Sequence, residues 1–318
     1  MESIVVTGAT SMLGAALIDE ALAHREIRKI YAVVREDTSK EDRLPKDGRI
    51  ELVRCDIEEY KSLADKIRGS ADAFYHFAWK ATGSLRNVDI YGQADNIGYA
   101  LDAVSAACKL GCRKFIGAGS QAEYGDAAQY SAKMSPHSRA NPTDAYGIAK
   151  FCAGKLAGLE AERLGMDCFW VRILSVYGEL DMPTTMVAST AARLMRGESP
   201  LFTPAENIWD FLYSGDAGKA FYLIGKKASG NKIYCLGSGE GRRLREYIEI
   251  IGKTVNPEVS LGIGALPYPE GGGRNICADI SELFEDTGWR PETPFEEGIK
   301  RVRDYMSAYG MEPRKQIL

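Results

Sequence analysis

The chain has 318 residues, long enough to bury a large core or to divide into two domains. Its 40 Lys and Arg against 44 Asp and Glu give a net charge of −4, so we expect no general attraction to nucleic acid or to an anionic membrane. No apolar run approaches the roughly 18 residues of a membrane span, and Met-Glu-Ser leads directly into a strand-like segment, so we expect a cytoplasmic protein without a signal peptide.

The cysteines predict neither a disulfide framework nor a metal site. Their number is odd, none forms a CxxC pair, and no second pair or His cluster completes a metal site around the two that lie four residues apart. We therefore expect reduced thiols and no structural metal at Cys55, Cys108, Cys112, Cys152, Cys168, Cys235 and Cys277.

The first half of the chain alternates short β-branched runs with amphipathic helical stretches. Most of the runs are apolar on both faces, as strands covered by helices on two sides must be. This alternation predicts an α/β fold with a doubly wound parallel sheet, a Rossmann fold. The predicted strands are 3–8, 29–35, 50–56, 71–78, 113–120 and 167–174.

Apolar residues at three- and four-residue spacing predict crossover helices over 13–24, 96–111 and 144–165. After Tyr177 the pattern loosens into turn-rich segments and a glycine-rich loop at 268–275, which indicate a smaller, mostly C-terminal α/β lobe that binds the substrate. We expect a dinucleotide-binding domain of residues 1–175 plus 208–238, and a substrate lobe of residues 176–207 plus 239–312.

The stretch "TGATSMLG" (7–14) follows the first strand and starts the first helix, the context of a dinucleotide-binding turn. Gly8 allows the sharp turn and Gly14 lets the helix pack on the strand, while the helix N-terminus offers N–H groups to a pyrophosphate. Ser11 stands where a third glycine is usual. Serine is small and caps helices well, so we interpret the turn as altered rather than broken.

The second strand ends in "AVVRE", which places Arg35 where an NAD-binding protein would carry an acid for the ribose hydroxyls. A guanidinium at this point suits a 2′-phosphate, so the sequence favours NADP(H), with NAD(H) as the alternative. A solvated surface arginine is the other interpretation of Arg35.

The segment "YGIAK" places Tyr146 and Lys150 four residues apart, on one face of a helix. An ammonium there is expected to draw the pKa of the phenol down from about 10, so that it can exchange protons with a carbonyl or an alcohol. Ser120, at the end of the fifth strand, would lie at the same sheet edge and hydrogen-bond the substrate oxygen.

With these motifs in place, the sequence resembles the extended short-chain dehydrogenase/reductases, in particular the NAD-dependent epimerase/dehydratase group that acts on nucleotide sugars. The resemblance runs from Ser3 to about Tyr305 and also includes "CDI", "HFAW", "NPTDAYGIAK", "VRILSVYG" and "WDFLYSGDAGKAF". It implies a catalytic trio in which Tyr146 is the acid/base, Lys150 holds the nicotinamide ribose and Ser120 polarises the substrate oxygen. The cofactor residues that it implies are Gly8, Thr10, Ser11, Met12, Leu13, Gly14, Arg35, Asp56, Ile57, Phe77, Ala78, Tyr146, Lys150 and Ile173.

The sequence departs from the family pattern at the positions that choose the reaction. Family dehydratases carry Asp-Glu directly after the catalytic Ser or Thr, but this chain has Gln121 and Ala122, which cannot exchange protons at neutral pH, so we do not expect a 4,6-dehydratase. Ser175 replaces the usual substrate-contacting Asn, and Trp209 replaces the usual diphosphate-contacting Arg. Arg274 is a candidate for that contact instead, and Gln121 and Ser175 are further candidate substrate contacts. Trp209 is either a substrate contact or a core or lid aromatic.

These features predict an NADP(H)-preferring oxidoreductase that acts on a nucleotide sugar, with a 4-keto-sugar reductase as the leading hypothesis. The alternatives are a 4-epimerase that retains its cofactor and, from another class, an NADP-sensing protein without turnover. The resemblance also implies a homodimer formed through the helices at 96–110 and 146–164.

Overall fold

A computed structural model gives the architecture, and it describes residues 1–130, 133–268 and 273–310. Four residues of the predicted glycine-rich loop, 269–272, lie outside this range. Within it the strands are β1 (Ser3–Thr7), β2 (Lys29–Val34), β3 (Ile50–Arg54), β4 (Ala73–His76), β5 (Lys114–Ser120), β6 (Asp167–Ile173), β7 (Ser175–Tyr177), β8 (Leu201–Phe202), β9 (Ile208–Trp209), β10 (Phe211–Tyr213), β11 (Lys232–Leu236), β12 (Arg242–Arg243) and β13 (Gly262–Ile263).

The helices cover both faces of the main sheet and fill the smaller lobe. They are α1 (Met12–Ala23), α2 (Ile90–Lys109), α3 (Ala145–Arg163), α4 (Met186–Met195), α5 (Ser214–Lys227), α6 (Leu244–Val255), α7 (Ser281–Thr287) and α8 (Phe295–Tyr309), with 3₁₀ segments at Glu41–Arg43, Ile57–Lys66, Gly83–Leu85 and Gln121–Tyr130.

Seven parallel strands form the main sheet in the order β11-β6-β5-β4-β1-β2-β3. The predicted doubly wound Rossmann fold is therefore confirmed. Its strand order reverses between β1 and β4, and in such sheets ligands bind in the crevice outside the carboxyl ends at this point. In register, Thr7 lies opposite His76 and Ser120 opposite Ile173, so the predicted site residues end at one edge.

Two apolar layers hold the helices against the sheet. One lies between the sheet and α1 and α5, and the other between the sheet and α2 and α3. Helix α3 buries alanines at four-residue spacing (Ala149, Ala153, Ala157 and Ala161), which bring its backbone close to α2. This stripe explains how the first turn of α3 comes so near the sheet edge.

Helix α2 begins earlier than the sequence pattern predicts. The expected start was residue 96, but the helix starts at Ile90, where the Asp89 carboxylate accepts a hydrogen bond from the Gly92 N–H at 2.8 Å and caps it. The first turn escapes detection because Ile90 and Tyr91 are exposed, which breaks the apolar periodicity. Both α2 and α3 are followed by a glycine in the left-handed region: Gly111 and Gly165 adopt φ of 77° and 74°.

All seven cysteines are free thiols. No cluster of His, Cys, Asp and Glu within the described ranges has the composition of a metal site. In the same part of the chain, no helix has the length and apolar character needed to cross a bilayer.

Candidate active site

Ser120, Tyr146 and Lys150 meet at the carboxyl edge of the sheet. Ser120 is the last residue of β5, and its hydroxyl accepts a hydrogen bond from the Ala122 N–H at 3.1 Å. Asp144 caps α3 by accepting from the Gly147 N–H at 2.7 Å, and this starts the helix one residue before Tyr146. A Cβ on Gly147 would lie 2.4 Å from the Ala122 carbonyl oxygen, so the glycine lets the helix pack directly against the segment after Ser120.

The Tyr146 ring is half-buried between two side chains that the sequence analysis did not single out. The Arg86 guanidinium carbon lies 4.1 Å from its ring centroid, and the Trp79 ring meets it edge-on at 6.2 Å. Burial raises the pKa of Tyr146 above its usual value, while Arg86 and the neighbouring Ser120 hydroxyl lower it in part. The expectation that Lys150 draws this pKa down is therefore wrong for the protein without cofactor: desolvation outweighs the nearby cations.

The Lys150 ammonium is buried and turned toward the sheet. Its Nζ donates to the Ala118 carbonyl at 2.7 Å and lies 3.6 Å from the Trp79 ring centroid, but 5.8 Å from that of Tyr146. Burial lowers the pKa of Lys150 to about 7, with Arg86 adding to the decrease and Glu123 opposing it. Lys150 is thus the group of the trio that titrates nearest neutral pH.

A buried ion pair fixes Ser120 from behind. Glu123 accepts from the Ser120 backbone N–H at 2.8 Å and from the Trp170 indole at 2.9 Å, and its second oxygen accepts from Arg172 Nε at 2.8 Å. Glu123 and Arg172 are both almost completely buried. Such a pair is costly to break from one side, so it makes the position of Ser120 rigid.

The phosphate-binding turn has the form that the sequence predicts. Ser11 caps α1, and its hydroxyl accepts from the Gly14 N–H at 3.1 Å. Gly8 has a φ of 64°, and a Cβ on Gly14 would lie 2.4 Å from the Gly8 carbonyl oxygen. No backbone acceptor among the described residues takes the N–H groups of Met12 and Leu13, which leaves two donors at the N-terminus of α1. These donors fit a pyrophosphate.

Three cations cluster where the ribose end of a dinucleotide would lie. Arg35, which follows β2, has a side chain 62% exposed and lies 4.0 Å from Asp37. Arg43 donates to the Thr10 carbonyl at 3.3 Å. Burial lowers the pKa of Lys40, and the nearby charges of Arg43 and Arg35 lower it further. The turn and this cluster are therefore adjacent.

The remaining predicted cofactor residues lie around the same crevice. Asp56 follows β3 and accepts from the Glu36 N–H at 3.3 Å, while Ile57 packs on the core beneath it. A Cβ on Gly8 would lie 2.8 Å from the Ala78 nitrogen, so the turn touches the backbone after β4. The Phe77 ring, however, is buried against Phe221 with centroids 4.7 Å apart, so at this position only the backbone can face a cofactor. The half-buried Ile173 lies at the end of β6, in register with Ser120.

The four predicted substrate residues form two pairs. Gln121 and Arg274 line one small cavity of about 70 Å³, which Arg86 also lines. Ser175 accepts from the Trp209 indole at 2.9 Å. The Trp209 indole N–H is taken up by Ser175, and its ring packs beside Phe211. Trp209 therefore also contributes to the apolar cluster around Phe211.

A second cavity, of about 1190 Å³, adjoins the predicted cofactor site, because Met12, Lys40 and Arg43 are among the residues that line it. Its lining combines the outer side of α1, the loop at 179–183 and the end of α8. None of Ser120, Tyr146 and Lys150 lines it. The candidate active site is therefore the sheet edge, where Ser120, Tyr146 and Lys150 lie, and not the larger cavity.

Sequence reasoning missed Trp79, Arg86 and the role of Glu123. Trp79 was visible as the departure in "HFAW", but its stacking on Lys150 depends on a helix seventy residues away. Arg86 sits in a loop segment without periodicity, and nothing in the sequence around it points to Tyr146.

Known proteins resemble this chain over most of its length. The model of the NAD dependent epimerase/dehydratase family matches residues 4–237. A putative UDP-glucose 4-epimerase of Methanocaldococcus jannaschii is 25% identical over 312 residues, 95% of this chain and 98% of that protein.

Two solved structures share the fold. One is a UDP-N-acetylglucosamine 4-epimerase from Methanobrevibacter ruminantium in complex with UDP-N-acetylmuramic acid; it has a TM-score of 0.85 at 19% identity, covering 96% of this chain and 98% of that one. The other, RMD from Pseudomonas aeruginosa complexed with NADPH, has a TM-score of 0.80 at 20% identity, covering 97% and 99%.

Proposed function

This chain belongs to the NAD-dependent epimerase/dehydratase family, and we propose that it is an NADP(H)-dependent oxidoreductase that reduces the 4-keto group of a nucleotide-linked sugar. The observation that carries the proposal is the position of the Tyr146 phenol, between the Ser120 hydroxyl and the Arg86 guanidinium at the carboxyl edge of the sheet. A protonated, half-buried phenol at that edge is a proton donor for a substrate carbonyl.

The raised pKa of Tyr146 supports a role for this phenol as the proton donor in a reduction. At neutral pH the phenol keeps its proton, so it can deliver that proton to the carbonyl oxygen as the carbonyl is reduced. Ser120 can donate a second hydrogen bond to the same oxygen, and Arg86 stabilises the phenolate that remains. When bound, the reduced nicotinamide supplies the hydride.

The preference for NADP(H) is supported by the cation cluster after β2. Arg35 is exposed and available at the ribose end, and Lys40 and Arg43 add positive charge to the same region. A 2′-phosphate would gain charge-assisted hydrogen bonds there, whereas a free ribose would not.

A 4-epimerase is the second candidate, and the name of the relative in Methanocaldococcus jannaschii favours it. The same three residues would serve both reactions, and the difference is whether the cofactor leaves after each turnover. We do not propose a 4,6-dehydratase, because Gln121 and Ala122 provide no acid or base next to Ser120. We also do not favour a sensor without turnover, which would have no need of a phenol beside a serine that a buried ion pair holds in place.

We also propose a homodimer through α2 and α3. Their outer surfaces expose large apolar side chains: Tyr91 is 86% exposed and Leu159 64%, and Ile148 lies on the same helix as Leu159. Isolated exposed apolar residues are common, but several on two adjacent helices are typical of an interface.

The test is to replace Tyr146 with Phe and to follow the absorbance of reduced nicotinamide with a nucleotide-linked 4-keto sugar. Turnover should fall by ~10² or more while the affinity for NADPH stays unchanged, since only the acid is removed. Tyr99→Phe, on α2, is the matched control. Unchanged turnover in Tyr146→Phe would contradict the proposal, and cofactor that stays bound through purification with no net change in absorbance would favour the epimerase.

A further inference from the structure

A small cavity beside Tyr146 contains buried polar atoms with no partner. Its volume is about 70 Å³, roughly the share of two water molecules in the liquid. Arg86, Gln121 and Arg274 line it. Arg86 Nε and Gln121 Oε1 are buried and have no hydrogen-bond partner among the described residues. Buried polar groups are rarely left without partners, so a water molecule or a polar group of a ligand is expected to bond these two atoms.

The charge of Arg86 is also uncompensated. Arg86 takes part in no ion pair with the described carboxylates. Asp144 lines the same cavity, but its carboxylate caps α3 through the Gly147 N–H. The guanidinium lies against the face of the Tyr146 ring, which is a favourable cation–π contact. Such a contact stabilises a guanidinium much less than a hydrogen-bonded carboxylate does.

The position of Arg86 restricts where its anion can sit on the substrate. The guanidinium carbon is 4.1 Å from the centroid of the phenol that acts on the reacting oxygen. In a pyranose that reacts at C4, the diphosphate is attached to C1, across the ring. The neighbouring carbon C5 carries the exocyclic C6 group, which is within reach of a guanidinium stacked on that phenol.

We propose that Arg86 binds a carboxylate at C6, and that the substrates of this site are nucleotide-linked hexuronates. This rests on the proposed function, because it takes C4 as the reacting carbon. In this arrangement the guanidinium donates to the carboxylate, and Gln121 Oε1 accepts from a sugar hydroxyl. The substrate anion thus supplies the partner that Arg86 lacks within the described residues.

The experiment compares two matched pairs of sugars that differ only at C6: UDP-glucuronate with UDP-glucose, and GDP-mannuronate with GDP-mannose. Affinities are measured by calorimetry on the full chain loaded with NADP⁺. For at least one pair the uronate should bind ~10-fold or more tightly, since a hydrogen-bonded charge pair contributes about that much. Arg86→Met should abolish this difference, Arg86→Lys should retain part of it, and Arg163→Met, at the exposed end of α3, should leave it unchanged.

Equal affinities within both pairs, or a preference for uronate that survives in Arg86→Met, would overturn the assignment of the carboxylate. A folded Arg86→Met variant is recognised by its unchanged affinity for NADPH and its cooperative unfolding. Turnover of a neutral hexose that depends on Tyr146 would leave the proposed function standing while the hexuronate proposal fails. Absence of binding for all four sugars would reject the hexuronate proposal, and the proposed function would then be judged by Tyr146-dependent turnover of a nucleotide-linked 4-keto sugar.

Discussion

Lys150 provides a test of the electrostatics of the site that requires no substrate. Burial lowers the pKa of Lys150 to about 7 in the folded protein, against its usual value of 10.5. Between these two values the unfolded chain binds a proton that the folded chain has released. The free energy of unfolding therefore rises with pH over this window, and below pH 7 the contribution of Lys150 no longer changes.

The size of this effect follows from the shift. Each pH unit within the window adds up to about 1.4 kcal/mol, so raising the pH from ~7.5 to ~9.5 should add roughly 2 to 3 kcal/mol. The Trp79 ring 3.6 Å from Nζ and the Ala118 carbonyl both favour the ammonium and bring the gain toward the lower figure.

The assay is urea unfolding of the cofactor-free protein at several pH values across this range, comparing the parent with Lys150→Met. The difference between the two profiles isolates Lys150 from the other groups that titrate there, and omitting the cofactor avoids its contribution to stability. Lys155→Met removes an exposed lysine from the same helix and serves as the control. Parallel profiles for the parent and Lys150→Met would refute the reasoning, because they would mean that Lys150 stays protonated in the folded state.

Three further predictions concern other parts of the molecule. Arg35→Asp should weaken NADPH relative to NADH by ~10-fold or more, measured by titrating both cofactors, and an unaltered ratio would make Arg35 a solvated residue only. Glu123→Ala should lower the free energy of unfolding by about 3 to 5 kcal/mol because it leaves Arg172 buried and unpaired. Glu160→Ala breaks an exposed pair with Arg163 and should lower it by no more than ~1 kcal/mol, so equal losses would contradict this reasoning. Gly218→Ala should cost roughly 1 to 3 kcal/mol because its Cβ would lie 2.4 Å from the Ala16 carbonyl oxygen, while Gly158→Ala, which meets nothing within 4 Å, should not destabilise; urea unfolding of both variants decides.

The sequence predicts the sheet well because each strand carries its own signal. Strands such as β5 are apolar on both faces, and the turn at Gly8 and the helix stops at Gly111 and Gly165 are set by local backbone geometry. The positions of Ser120, Tyr146 and Lys150 follow, because parallel strands end at one edge of the sheet. These features need no knowledge of distant contacts.

The pKa of Tyr146 could not be predicted in the same way. Its direction depends on how deeply the ring is buried and on which side chains face it, and both come from loops distant in sequence. The four-residue spacing to Lys150 suggests a direct electrostatic effect, but the ammonium bends away to the Ala118 carbonyl and the Trp79 ring. A motif fixes which residues are near each other, not which atoms point together.

Two departures from the family pattern, Trp79 and Gln121, lie at the reacting end of the crevice, and Arg86 lies beside them. Around the pyrophosphate turn the chain keeps two of the usual glycines, Gly8 and Gly14, and Ser11 replaces the third as a helix cap. Around Tyr146, by contrast, Trp79 covers the lysine, Arg86 covers the phenol and Gln121 replaces an acid. Because Ser120, Tyr146 and Lys150 are all present, we infer that these three side chains influence which sugar binds and the pKa values of Tyr146 and Lys150. Differences in substrate between this chain and its relatives should therefore follow Arg86 and Gln121, and exchanging those two side chains should alter sugar preference before it alters cofactor affinity.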